Sequence, residues 1–149
     1  VAGEGGSAPP VAHGNRAGTA RLRAGTLCPM SVAALVLAAG RGERLGAAVP
    51  KAFVPLAGKP LLLHTLAALS RVPEIDRVVP VVAAADRARL DALAAELARI
   101  PKLAPAVTGG AERQDSIRAG LAARPPEVTW VAVHDAARPF VKASDVRRV

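Results

Sequence analysis

The sequence predicts an α/β fold, in which helices cover both faces of a mostly parallel sheet to form a three-layer αβα sandwich. Two patterns support this. Apolar runs of strand length alternate with helical patterns from residue 32 onward, as in parallel βαβ units. These runs are continuously apolar, as expected for strands that are buried on both faces. The length is 149 residues, of which 51% are hydrophobic, and this suffices for one domain with a real core.

The first half of the predicted domain contains two strands and two helices. Val32–Leu37 is a buried strand, Leu61–Leu69 has leucines at helical spacing, and Val78–Ala83 is a second β-rich run. Asp86–Ile100 is predicted to be one amphipathic helix that Pro101 ends. Its apolar stripe consists of Leu90, Leu93, Leu97 and Ile100.

The second half repeats the alternation. A short strand near Ala104–Thr108 leads to a glycine pair, and a helix is expected to start around Asp115 and Ser116. Val128–His134 is the last predicted strand, and its Trp130 is expected to lie in the core. Asp135 follows at once. A further helix is expected to start at residues 144–145.

Composition limits the function classes. Residues 1–30 are rich in Gly, Ala, Pro and Arg without periodicity, so they are predicted to be a disordered tail. The domain is then expected at residues 31–149, with Met30 as a plausible true start.

Cys28 is the only cysteine, which excludes an internal disulfide and favours a reducing compartment. No stretch approaches the ~20 apolar residues of a membrane span, so a soluble, cytoplasmic protein without a membrane partner is expected. The net charge of +8 is interpreted as the residue usage of a GC-rich genome and not as a nucleic-acid surface. Only the cations placed in the loop after the first strand are attributed to a small anionic substrate.

The loop after the first strand carries the strongest chemical signal. Gly40 and Gly42 have no Cβ and allow backbone N–H groups to approach a phosphate chain closely. Arg41, Arg44 and Lys51 place up to three cations beside the same anion. This pattern predicts a polyphosphate ligand. A tight turn with solvated arginines is the weaker alternative.

Two better-known phosphate loops do not fit these residues. With Gly46 as the third glycine the spacing is G-x-G-x-x-x-G, and no acidic residue for a ribose follows about 20 positions further on. A dinucleotide site is therefore disfavoured. No Walker A pattern can be drawn through the loop either. Lys59, which follows Gly58, is interpreted as a solvated turn residue.

Two later segments are expected at the same edge of the sheet, because ligands in such folds bind beyond the carboxyl ends of the strands. In the segment 109–116, backbone groups and Ser116 could bind a nucleobase. Alternatively, Asp115 or Ser116 could be the N-cap of an ordinary helix, and the sequence favours neither interpretation. Asp135 suits Mg²⁺, which takes one or two carboxylates together with substrate phosphates. Arg138 could instead be its structural partner, and His134 is interpreted as packed or hydrogen-bonded.

Taken together, these segments resemble the 2-C-methyl-D-erythritol 4-phosphate cytidylyltransferase family. The resemblance covers residues 32–149 and rests on three motifs in order: Ala38–Arg44 with Pro50-Lys51, Gly109–Ser116 and His134–Phe140. It implies a Rossmann-like fold of the nucleotide-diphospho-sugar transferase type. It also implies transfer of CMP from CTP to 2-C-methyl-D-erythritol 4-phosphate with release of pyrophosphate, in non-mevalonate isoprenoid precursor synthesis.

The resemblance also implies roles for individual residues. Arg44 and Lys51 match the residues that stabilise the transition state, Asp135 matches the ligand of the Mg²⁺ cofactor, and Arg138 matches an arginine near the sugar-phosphate substrate. By the same resemblance, the first loop would wrap the triphosphate and Ala136 would lie by the ribose. Cytosine would be selected by the backbone near Ala38 and Ala39 together with Gly110, Ala111 and Ser116. The implied nucleotide-binding positions are Ala38, Ala39, Gly40, Arg41, Gly42, Gly110, Ala111, Ser116 and Ala136.

Members of that family continue for about another half domain, which holds a second metal ligand, most of the acceptor site and the arm of a homodimer. The chain is therefore expected to be C-terminally incomplete and inactive, or nearly so, by itself. Three alternatives stay open: a CDP-ribitol-forming cytidylyltransferase, a non-catalytic CTP-binding fragment and, least favoured, an NAD-binding domain.

Overall fold

The computed structural model of the chain describes residues 31–40 and 49–148. The predicted tail, residues 1–30, lies outside the described residues. The same holds for positions 41–48, which include the predicted site residues Arg41, Gly42 and Arg44. The other predicted site residues are all described.

The central sheet has four parallel strands in the order β5-β4-β1-β6. These strands are β1 (Val32–Ala38), β4 (Arg77–Val82), β5 (Val107–Thr108) and β6 (Trp130–Asp135). Ala38 pairs with Val82, and Leu37 pairs with Asp135, so the carboxyl ends of neighbouring strands lie side by side. The predicted parallel sheet and its shared edge are confirmed.

A short segment connects β1 to the first helix. It contains a 3-10 helix at Lys51–Phe53 and an antiparallel hairpin of β2 (Pro55–Leu56) and β3 (Lys59–Pro60). Gly58, with φ +78°, supplies the left-handed backbone that this tight turn requires. The hairpin leads directly into helix α1.

Helices cover both faces of the sheet, because successive side chains of a strand point to opposite sides. Helix α1 (Leu61–Ser70) packs on the face that carries Val36, in the larger apolar cluster. Helix α4 (Arg113–Ala122) lies on the other face, which carries Leu35. At Gly120 a Cβ would come within 2.7 Å of Leu35 Cδ1, so glycine permits this close approach of α4 to the sheet. The three-layer αβα prediction is confirmed.

The prediction of one helix from Asp86 to Ile100 is wrong. The segment consists of a 3-10 helix at Ala84–Asp86 and two short helices, α2 (Arg87–Asp91) and α3 (Ala94–Leu97). The backbone N–H of Leu93 bonds to Leu90 at i−3 instead of i−4, which tightens the turn between α2 and α3. The predicted stripe still faces the core, since Leu90 is buried in the larger apolar cluster and Leu93, Leu97 and Ile100 pack against it.

Three expectations for the last third of the chain also need correction. Helix α4 begins at Arg113 with Glu112 as its N-cap, and Asp115 is the third helical residue of a capping box. Neither Asp115 nor Ser116 is therefore the cap. Trp130 is 61% exposed and not core, because β6 is the edge strand of the described sheet. The last helix, α5 (Ala143–Val146), begins one residue before the predicted start.

None of the helices in the described part of the chain is long and apolar enough to cross a membrane.

Candidate active site

A cavity of about 290 Å³ lies beyond the carboxyl ends of the strands. It draws on the described parts of all three predicted motifs. Its lining residues are Leu37, Ala39, Gly40, Ala111, Glu112, Arg113, Ser116 and Asp135. The parallel register brings these segments together, since each motif follows the end of a strand at the same edge.

The first and second motifs pack directly against each other at Gly109. A Cβ on Gly109 would lie 2.6 Å from Ser116 Oγ and 2.8 Å from Ala39 Cβ, so only glycine fits between them. The N–H of Gly109 also donates a 2.8 Å hydrogen bond to the carbonyl oxygen of Val82, which ties this turn to the end of β4. Gly109 therefore sets the spacing between the first and second motifs.

Ser116 is turned into the fold toward the glycine pair. Its side chain is almost fully buried, and its hydroxyl lies 3.5 Å from the carbonyl oxygen of Gly110, at the limit of a hydrogen bond. Gly110 itself has no room for a side chain, because a Cβ would lie 2.3 Å from Asp115 Cβ. Ala111 lines the cavity next to Gly110, whose carbonyl faces Ser116.

Asp135 ends β6 between two arginines. Arg113, the first residue of α4, contacts the Oδ1 atom of Asp135 through its Nη1. The Nε of Arg138 lies 3.4 Å from Oδ2. Both carboxylate oxygens therefore face a guanidinium group. Arg138 therefore contacts Asp135, as the alternative of a structural partner predicts.

Ala136 is held inside the fold by its backbone. Its N–H donates to the carbonyl oxygen of Leu37 at 2.9 Å, and its carbonyl accepts a 2.7 Å hydrogen bond from the hydroxyl of Thr65. Its side chain is buried. Ala136 therefore anchors the segment after Asp135, and its predicted place beside a ribose stays a prediction. Ala38, the last residue of β1, is likewise buried.

Arg138 also lines a second groove, of about 860 Å³, beside the edge strand β6. The side chain of Arg138 is 77% exposed. His134 is hydrogen-bonded as expected, with its Nε2 3.0 Å from the carbonyl oxygen of Arg138. Asp135 lines the small cavity and Arg138 lines the large groove, so the contact between them links the two.

Lys51 is not among the described residues that line the cavity. Lys51 is exposed at the start of the 3-10 helix, while its neighbours Ala52 and Phe53 are buried in the same cluster as Ala38 and Ala136. Burial of these neighbours fixes the backbone beside Lys51 and leaves its long side chain in solvent.

Three positions at or beside the cavity were not predicted from the sequence. Arg113 belongs to the second motif, but no pattern in the sequence indicates its contact with Asp135, 22 residues away. Thr65 carried no signal at all, because one threonine in an apolar helix is usually unremarkable. Glu112 also lines the cavity, and the capping box that it forms with Asp115 could have been read as the pattern E-x-x-D.

The cavity suits Mg²⁺ only as a shared site. No group of three or more His, Cys, Asp or Glu side chains in the described residues could hold a metal. However, Asp135 and Glu112 both line the cavity, and the side chain of Asp135 is one-third exposed, whereas that of Glu112 caps α4. Mg²⁺ is commonly held by one or two carboxylates together with substrate phosphates. The donor set therefore fits a cation that arrives with a phosphate ligand.

Comparison with known proteins agrees with this geometry. The profile of the family "2-C-methyl-D-erythritol 4-phosphate cytidylyltransferase" (IspD) matches residues 32–149. The chain is similar to the enzyme of that name from Shewanella amazonensis, with 48% identity over 117 residues, which are 78% of this chain and 48% of that protein. The corresponding enzyme from Saccharopolyspora erythraea is 50% identical over 123 residues, which are 80% of this chain and 54% of that protein.

A solved structure shows the same fold. The crystal structure of 4-diphosphocytidyl-2C-methyl-D-erythritol synthase from Anaerococcus prevotii matches with a TM-score of 0.66 and 28% identity, covering 80% of this chain and 49% of that one. The chain thus spans about half the length of the relatives that it matches. The chain belongs to the 2-C-methyl-D-erythritol 4-phosphate cytidylyltransferase family.

Proposed function

We propose that this chain is the CTP-binding part of an enzyme that transfers CMP from CTP to 2-C-methyl-D-erythritol 4-phosphate and releases pyrophosphate. One observation carries the proposal: residues from each of the three motifs line a single cavity at the carboxyl edge of a parallel sheet. Family membership supports the substrate pair. This reaction would serve the non-mevalonate synthesis of isoprenoid precursors.

CTP would bind with its phosphates along the first loop. Ala39 and Gly40 line the cavity, and apart from its chain neighbours no described residue has an atom within 4 Å of where a Cβ of Gly40 would be. This free space permits close approach of a phosphate oxygen. The cytosine would lie against Gly110 and Ala111, with Ser116 fixing the carbonyl of Gly110.

In the proposed reaction, an oxygen of the acceptor phosphate attacks the α-phosphorus of CTP. The bond from that phosphorus to the bridging oxygen breaks, and its electron pair leaves with pyrophosphate. Both reactants are anions, so the protein has to bring them together against their repulsion. Arg44 and Lys51 are proposed to stabilise the charge that develops in the transition state.

Asp135 is proposed to hold the cation of this site. Bound Mg²⁺ would neutralise part of the phosphate charge. Arg138 is exposed at the junction with the larger groove, where its guanidinium could pair with the acceptor phosphate. The two anions would then meet at the Asp135–Arg138 contact.

Nucleotide selectivity tests the proposal on the chain itself. Calorimetry with CTP, UTP, ATP and NADH, each with Mg²⁺, is expected to show binding of CTP in clear preference to the others. Preferential binding of NADH would support a dinucleotide site instead. Absence of CTP binding would contradict the proposal.

Pyrophosphate release tests the chemistry. The 149-residue chain is expected to show little turnover, whereas the same chain joined to the second half of a relative is expected to turn over 2-C-methyl-D-erythritol 4-phosphate. Preference for ribitol 5-phosphate would favour the CDP-ribitol alternative. CTP binding without any turnover in the joined protein would favour a non-catalytic module. The homodimer of a full-length protein, the cytoplasmic location and the absence of a nucleic-acid partner stay predictions.

A further inference from the structure

We infer that Arg113 is the counter-ion of Asp135 in the nucleotide-free protein, and that its guanidinium has to leave Asp135 before that carboxylate can bind a divalent cation. The inference rests on the proposed function, which assigns Asp135 to the metal. The carrying observation is the contact of Arg113 Nη1 with Asp135 Oδ1 across the cavity.

The two roles of Asp135 compete for the same atom. An ionised carboxylate offers lone pairs that either accept hydrogen bonds or coordinate a cation. Arg113 already contacts Oδ1, and Arg138 Nε lies 3.4 Å from Oδ2. A positive guanidinium at that position also repels an arriving cation. Because the guanidinium occupies Oδ1 and repels a cation there, we expect metal binding at Oδ1 to follow the departure of Arg113.

Arg113 can move while its surroundings stay in place. Its side chain is 58% exposed and reaches from the first residue of α4. In contrast, the backbone of α4 is fixed near the cavity by Ser116, which is buried. Breaking one partly exposed ion pair changes an equilibrium by about fivefold. The exchange is therefore small enough for a ligand to drive.

A triphosphate offers Arg113 a new partner. Arg113 lines the same cavity as Gly40 and Ser116, so a phosphate oxygen bound there would lie within reach of its guanidinium. Nucleotide binding would thereby draw Arg113 from Asp135 and free the carboxylate. By linkage, each ligand then raises the affinity of the other, and free divalent cations bind weakly in the absence of nucleotide.

The test measures binding of Mn²⁺ alone to the nucleotide-free 149-residue chain by electron paramagnetic resonance. Arg113→Ala is expected to bind Mn²⁺ about fivefold more tightly than the unaltered chain, because the competing ion pair is gone. Arg113→Lys keeps a cation near Asp135 and should stay closer to the unaltered chain. A merely structural role of Arg113 would predict a loss of affinity and not a gain.

Arg118→Ala is the matched control. Arg118 lies on the same helix and its Nη1 is 3.4 Å from Asp115 Oδ1, so this variant removes the same charge without touching Asp135. Its Mn²⁺ affinity should change by less than about twofold. Circular dichroism of each variant verifies folding, and Arg113→Gln replaces Arg113→Ala if the latter does not fold.

Failures of the two ideas are distinguishable. If Asp135→Asn abolishes Mn²⁺ binding but Arg113→Ala leaves it unchanged, the counter-ion inference is wrong and the metal role of Asp135 stands. If Asp135→Asn binds Mn²⁺ like the unaltered chain, the metal assignment is wrong and the inference fails with it. Selective CTP binding by calorimetry then decides independently whether the nucleotide assignment survives.

Discussion

The hydroxyl of Thr65 donates a 2.7 Å hydrogen bond to the carbonyl oxygen of Ala136, 71 residues further along the chain. Thr65 is fully buried in helix α1, and Ala136 directly follows Asp135. One polar group on an apolar helix thus fixes the backbone beside the proposed metal ligand. Because the bond is buried, water cannot replace it if the hydroxyl is removed.

Thr65→Val should lower the free energy of unfolding by about 1–3 kcal/mol, since a buried carbonyl loses its donor while the side-chain shape is kept. Urea unfolding followed by circular dichroism measures the change. Thr129→Val is the control, because Thr129 is exposed and its hydroxyl bonds the carbonyl of Ser31 at the surface. Its effect should stay within about 0.5 kcal/mol. Equal effects of both substitutions would contradict the role of the buried bond.

A methyl group added at Gly109 should affect stability, whereas one added at Gly40 should affect CTP binding. Gly109→Ala is expected to destabilise the fold by about 1–3 kcal/mol, because the new Cβ would overlap Ser116 Oγ and Ala39 Cβ. Gly40→Ala should leave stability nearly unchanged but weaken CTP binding about tenfold, or roughly 1.4 kcal/mol, because its Cβ would enter the space proposed for a phosphate. Thermal unfolding and calorimetry measure the two effects. Unchanged CTP affinity in Gly40→Ala would place the phosphates elsewhere.

Lys51→Gln should weaken CTP binding about tenfold, since one charge-assisted contact with the triphosphate would be lost. Lys59→Gln removes the same charge from the β2–β3 hairpin and should change the affinity by less than about twofold. Calorimetric titration with CTP and Mg²⁺ compares the two. A similar loss of CTP affinity in both variants would contradict a specific contact of Lys51 with the triphosphate and would indicate an effect of overall positive charge.

Part of the loss of folding stability at low pH is expected to come from the Glu74–Arg147 ion pair. The hydrogen bond from the Arg147 side chain lowers the pKa of Glu74 below its ordinary value of 4.5. A carboxyl with a lowered folded-state pKa contributes stability that is present above its unfolded pKa and is lost as the pH falls through the folded value. Arg147→Ala should therefore lose less stability than the unaltered chain between about pH 6 and about pH 3, in urea unfolding at both values.

Arg148→Ala provides the comparison for this pH dependence. It removes a neighbouring positive charge but leaves the Arg147–Glu74 pair in place. Its loss of stability on acidification should match that of the unaltered chain. If Arg147→Ala shows the same acid loss as Arg148→Ala, the pair does not contribute to the pH dependence.

Much of the fold could be predicted because the signals are local. The continuous apolar run of β1 and the leucine spacing of α1 report burial directly, and both elements lie where they were expected. Once the strands are parallel, their carboxyl ends must share one edge, so the meeting of Gly40, Ser116 and Asp135 follows from topology. The error over residues 86–100 arose because periodicity reports which face is buried and not whether hydrogen bonds run to i−4 or i−3.

The sequence by itself determined the alternation of strands and helices, the family and the edge of the sheet that holds the site, since each depends on residues close together in the chain. Only the tertiary structure decided that Arg113 meets Asp135, that Thr65 holds Ala136 and that Trp130 lies exposed on an edge strand. These relationships depend on strand order, register and the docking of helices. Contacts between distant residues form only once strand order, register and helix docking are all established. No local sequence pattern can therefore encode these contacts.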